Sequence, residues 1–152
     1  MVAGGTDDPS KRAPMYWNAA RDDGTTDLPP GCTLPDGYPF GSLEEQRENE
    51  TSVYNYYRQA VAIRQAIPAI SHGATTPEEG LNRGCVSAQR KTWGEESCII
   101  LMNIDEDGAE VDLSGYADWT LAASLSVGTD PITMEGTSLH LDGFGIAVLV
   151  KQ

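Results

Sequence analysis

Basic residues are scarce in this 152-residue chain: 10 Lys and Arg stand against 23 Asp and Glu, for a formal net charge of −13. Nucleic-acid phosphate and anionic membrane surfaces both need clustered Lys and Arg, so neither partner is expected. Long hydrophobic runs are missing as well, and no stretch reaches the ~18 apolar residues of a membrane span. The opening Met1-Val2-Ala3 leads straight into Gly4-Gly5, without the apolar core of a secretory leader. Only three cysteines occur, Cys32, Cys85 and Cys98, with no C-x-x-C pair and no histidine at zinc-ligand spacing. A disulfide framework normally uses an even count, so three reduced thiols are expected, two of them packed in strands as small hydrophobes. Cys85 and Cys98 could still face each other across a hairpin. The acidic runs Asp105-Glu106-Asp107 and Asp7-Asp8 lack the ligand spacing of a calcium loop and read as solvated turns.

What is present divides unevenly. Residues 1–40 show little hydrophobic periodicity and are punctuated by Pro9, Pro14, Pro29, Pro30, Pro35 and Pro39, so they read as one extended loop. Its first part joins Gly4-Gly5, the acidic turn Asp7-Asp8-Pro9, Lys11-Arg12 and Pro14-Met15-Tyr16-Trp17. No element precedes it for such turn chemistry to connect from, so the chain is expected to begin inside a domain. Trp17 is expected to pack under this loop. Ser42 and Glu45 have capping-box spacing for a short helix. A longer helix is predicted from about Thr51 to Ala66, capped by Thr51 or Asn49 and stopped by Pro68. Val53, Tyr57, Ala60, Val61, Arg64 and Ile67 share one face of it.

Beyond Pro68 the period changes. The segments 85–92, 97–104, 109–113, 119–126, 137–141 and 145–150 read as short strands separated by Gly and Asp turns, which indicates an antiparallel β-sandwich or barrel. Trp93 and Trp119 fall at strand edges. His72 reads as an exposed connector residue and His140 as outward-facing within a strand. Tyr54, Tyr56 and Tyr57 read as packing residues of the long helix.

Taken in order, these segments resemble the end of an α-amylase-family enzyme (glycoside hydrolase family 13), in which a (β/α)8 barrel is followed by an antiparallel β-sandwich, domain C. The resemblance is carried by Asp8-Pro9, Arg12, Pro14-Met15 and Trp17 in the loop, and by the helix Tyr56-Tyr57-Arg58-Gln59-Ala60-Val61-Ala62-Ile63-Arg64. Pro68-Ala69-Ile70, Leu101-Met102-Asn103 and the run from Gly143 to Val150 continue it.

The resemblance implies a mainly β fold, an antiparallel β-sandwich preceded by a long loop and one or two helices left over from the barrel. Residues 1–68 would be the barrel remnant and 69–152 the β-domain. It implies retaining hydrolysis of α-glucosidic bonds in starch or maltooligosaccharides. The nucleophilic Asp, acid/base Glu and stabilising Asp would lie upstream, leaving this part inert alone. Arg12 and Asp8 are the candidate sugar-contacting residues, since βα loops line the site of such barrels; for both, a structural ion pair or turn role competes. No metal or other cofactor is expected here, with calcium left open for the parent enzyme. The compartment, cytoplasmic or secreted, is undetermined. Self-association through the exposed helix is a further expectation. A carbohydrate-binding β-sandwich without catalysis, with Trp93, Trp119 and Tyr116 as contacts, is the alternative.

Overall fold

The computed structural model describes residues 15–22, 27, 30, 40–128 and 130–151. The chain forms two compact units, Met1–Tyr57 and Arg58–Gln152. In the first, helix α1 (Leu43–Glu48) starts at the capping box its sequence announces. The Ser42 hydroxyl accepts the Glu45 N–H at 3.2 Å while the Glu45 carboxylate accepts the Ser42 N–H at 2.7 Å. The two remaining first-turn donors go to the loop: Leu43 N–H to the Tyr16 carbonyl at 2.9 Å and Glu44 N–H to the Trp17 carbonyl at 3.1 Å. These donors have no partner inside the helix, so their bonds also fix the course of the Met15–Trp17 segment.

Helix α2 (Val53–Ala66) follows. Its cap is Ser52, whose hydroxyl accepts the Asn55 N–H at 3.2 Å; the expected caps, Thr51 and Asn49, are bonded to each other instead. The buried Asn55 amide donates to the carbonyls of Gln46, Arg47 and Asn49, satisfying the open end of α1. The face that carries Val53, Tyr57 and Val61 is open, at 61%, 70% and 39% exposed. Tyr54 is partly covered, as are Tyr56, Ala60, Ile63 and Ile67, the last four at helical spacing.

The second unit holds two open antiparallel sheets built from β1 (Ala74–Pro77), β2 (Val86–Trp93), β3 (Glu96–Asn103), β4 (Ala109–Asp112), β5 (Trp119–Leu125), β6 (Thr133–Glu135), β7 (Ser138–Leu141) and β8 (Ile146–Lys151). The orders are β1-β2-β3-β8-β5 and β4-β7-β6. Their inner faces share one core of Val86, Ala88, Ile99, Leu101, Val111, Leu113, Trp119, Leu139, Leu141, Ala147 and Leu149, with Leu81 and Ile132 at its margins. The β-domain is therefore sandwich-like, as the sequence indicates.

Pro68 does more than stop α2. Its fixed φ suits the first helical position, and it opens a short helix, α3 (Pro68–His72). Ala69 with Ile63, Ile67 and Ile70 packs onto Cys98 and Val148 on the outer face of the five-stranded sheet. Strands β3 and β8 are thus covered on both sides. That double cover explains their unbroken apolar runs, which a half-buried strand would interrupt with polar residues.

Candidate functional site

Asp8 and Arg12, the expected sugar contacts, lie outside the described residues, as do Asp7, Pro9 and Cys32. The described stem of their loop is built around Tyr16, which is buried and carries the Arg21 guanidinium 4.8 Å above its ring. Trp17, expected to be packed, has its side chain 46% exposed while its carbonyl serves α1. The Ala19 N–H donates to the Glu44 carboxylate at 2.9 Å, and Asn18 donates to Asp22 at 2.6 Å.

In the β-domain, the most connected polar group joins β1, β2 and β5. Arg90 Nε donates to Glu78 Oε2 at 2.6 Å, and the Tyr116 hydroxyl donates to Glu78 Oε1 at 2.8 Å. The Arg90 guanidinium lies 4.9 Å over the ring of Trp119, a cation–π contact. Trp119 itself is only 4% exposed. Trp119 opens β5, the outer strand of its sheet, and the alternative role as a sugar contact is corrected: the indole is buried in the core and its ring is covered by Arg90. The hydrogen bond from Arg90 holds the Glu78 carboxyl below its ordinary range, against the burial that would raise it. Burial, followed by the bond to Glu78, raises the Tyr116 phenol. An ionised carboxylate and a fully protonated phenol are poor proton-transfer groups near neutrality.

A second group joins β4 and β7. Glu110 Oε1 lies 2.7 Å from His140 Nδ1, and Ser138 Oγ donates to Glu110 Oε2 at 3.1 Å. These residues face each other because Glu110 registers with His140 and Asp112 with Ser138. The His140 bond lowers the Glu110 carboxyl. Glu45, Asp118 and Asp142 are also lowered, each first by a hydrogen bond, from Ser42, Lys151 and Ser126 respectively. Among the described carboxyls with a resolved shift, every one moves down. Retaining glycoside hydrolysis needs one carboxyl pushed up to act as the acid, and none of these meets that need.

A third group, missed in the sequence, ties two turns together. The buried Asn103 amide donates to the carbonyls of Asp107 at 2.7 Å and Asp142 at 3.0 Å, and its oxygen accepts the Asp105 N–H at 3.1 Å. Its signal was a lone amide ending an apolar strand. Asp105 caps its own turn by accepting the Glu106 N–H at 2.7 Å. His72 is exposed as expected but ends α3 instead of lying in a connector, and its ring lies 5.2 Å from that of Trp93 at a 41° tilt, with Trp93 47% exposed. Cys98 is buried and unbonded in β3; it registers with Lys91, so it does not face Cys85, which precedes β2.

One cavity of about 430 Å³ opens beside β4. It is lined by all four β4 residues and, opposite, by the turn from Gly80 to Val86. Its floor is apolar, from Leu81, Val86 and Val111, and its rim carries Arg83, Glu110 and Asp112.

The chain is 28% identical over 120 residues to "Trehalose synthase/amylase TreS" of Mycobacterium tuberculosis, covering 72% of this chain and 20% of that protein. It is 26% identical over 102 residues to a "Probable alpha-glucosidase" of Rhizobium meliloti, covering 67% of this chain and 18% of that one. The solved structure of Eubacterium rectale Amy13B superimposes with a TM-score of 0.84 at 24% identity, over 98% of this chain and 29% of its own. This chain thus spans about a fifth of the length of the curated relatives it matches. No protein-family model matches the sequence.

Proposed function

We propose that this chain, which in sequence and fold is a C-terminal region of the α-amylase family (glycoside hydrolase family 13), serves as the structural β-domain of an enzyme acting on α-glucosidic bonds. Its substrate would be starch or a maltooligosaccharide, with residues 1–68 as the end of a catalytic barrel and 69–152 as the domain behind it. The carrying observation is that relatives named for amylase and α-glucosidase activity match over about 70% of this chain but only a fifth of their own length. The geometry agrees with a supporting role. Four carboxylates of the β-domain, Glu78, Glu110, Asp118 and Asp142, are tied to Arg90, His140, Lys151 and Ser126 respectively, and the large aromatic Trp119 is spent on the core. Val53, Tyr57 and Val61 stand exposed along α2, as expected of a barrel helix that turns its apolar stripe to a neighbour. Arg12 and Asp8 would contact sugar only in the assembled barrel.

The test is hydrolysis. Purified chain incubated with maltoheptaose is expected to release no reducing sugar above a heat-inactivated control, while an intact α-amylase does so under the same conditions. Turnover that survives repurification would overturn the reading, because it would require a complete carboxylate pair within these 152 residues.

A further inference from the structure

The cavity beside β4 is not used by any role described so far, and it is lined by both apolar and charged residues. We propose that it is a binding subsite for a neutral polyhydroxylated ligand, a single sugar ring or a short glucan end; this rests on the glucan-processing reading of the parent.

Four observations carry it. The first is backbone availability. Among the described residues β4 pairs only with β7, at one edge of its sheet. Leu113 N–H donates to Thr137 O at the end of that ladder. Antiparallel bonding alternates along a strand, so Val111 and Ala109 direct their backbone groups to β7, and Glu110 and Asp112 direct theirs to the open edge. That edge is where the cavity lies. It therefore offers both donors and acceptors, and hydroxyl groups can answer both.

The second is side-chain readiness. Glu110 is held by His140 and Ser138, and Asp112 by the Ser114 N–H at 2.8 Å and hydroxyl at 3.1 Å. Each carboxylate is oriented yet retains unused lone pairs. Arg83, opposite, has its backbone bonded to Val86, and its guanidinium makes no side-chain bond among the described residues. It can supply several donors from one planar fork.

The third is charge. Two carboxylates against one guanidinium, in a chain of net charge −13, disfavour an anion. A neutral polyol meets no such penalty and can use donors and acceptors of both kinds. The fourth is shape: about 430 Å³ falls in the range of small-ligand pockets. Leu81, Val86 and Val111 give the floor an apolar face for the C–H side of a ring.

The experiment is an amide chemical-shift titration of the full chain with maltose. Saturable shifts are expected at Gly80, Gly84, Cys85, Glu110 and Asp112, with weak, millimolar-range affinity. Arg83→Ala should weaken binding roughly tenfold, and Glu110→Gln should weaken it further, while the remaining spectrum reports that each variant is folded. Shifts centred on Trp93 and His72, no saturable shift at all, or a folded Arg83→Ala variant that binds unchanged would each overturn the subsite. Those failures leave the hydrolysis result untouched, so they are separable from a failure of the parent reading.

Discussion

Arg90 shows how one side chain can hold three neighbours in place. It reaches Glu78 at 2.6 Å and covers the Trp119 ring at 4.9 Å, and Glu78 in turn accepts the Tyr116 hydroxyl. Removing Trp119 would open a large cavity in the core shared by the two sheets. Trp119→Ala is expected to cost about 3–5 kcal/mol, read as a lower urea midpoint. Glu78 gives a pH signature. Its folded pKa is depressed by Arg90, so its contribution is fully present above the unfolded carboxyl value. It is lost as pH falls through the lower, folded value. Stability should therefore decline from about pH 4.5 downward. In Glu78→Gln the decline should be shallower, measured as urea midpoints between pH 5 and 3. An equal slope in the two proteins would remove Glu78 from the acid-labile set.

At the scale of elements, turns decide the topology. The β2–β3 hairpin closes through Gly94-Glu95, with Trp93 opposite Glu96 and Gly94 at φ +61°. A positive φ at the first of two loop residues is the type II′ requirement, which glycine meets without strain. Gly94→Ala is expected to cost about 1 kcal/mol, read by thermal unfolding. Gly143 is held by contact instead of by torsion: a Cβ there would sit 2.0 Å from the Glu106 carbonyl oxygen, so the two turns tied by Asn103 could not approach. For α1, Ser42→Ala removes half of the capping box and should cost about 1 kcal/mol. The readout is faster amide exchange at Leu43 to Gln46; unchanged exchange would show that the loop carbonyls of Tyr16 and Trp17 suffice.

Legibility followed local signal. The capping box, the α2 span, the β2–β3 turn and the strands from β2 to β5, β7 and β8 were readable, because periodicity and Gly/Asp turns report them directly. Strands β1 and β6 were not: Ala74–Pro77 is exposed throughout and Thr133–Glu135 is three residues long, so neither carries an alternating pattern. Helix α3 was hidden behind Pro68, which reads as a stop before it reads as a start. The cavity at β4 was invisible because Arg83 and Glu110 are far apart in sequence and are joined only by the pairing order of two sheets.

On the whole-molecule scale the open matter is where the self-sufficient part of the chain begins, and packing argues for a start upstream of Pro68. The compact unit runs from Arg58. Ile63 and Ile67, in the last turns of α2 and just beyond, are half-buried against the layer that covers Cys98 and Val148. A chain starting at Ala69 would lose that cover and bare Ile100 and Val150 on the outer sheet face. Losing two partly buried isoleucines corresponds to about 2 kcal/mol. A 58–152 chain should therefore unfold cooperatively in urea, and a 69–152 chain should do so at a clearly lower midpoint and bind a hydrophobic dye. Equal midpoints would mean that the two sheets alone fold the domain, and that the end of α2 belongs wholly to the barrel side.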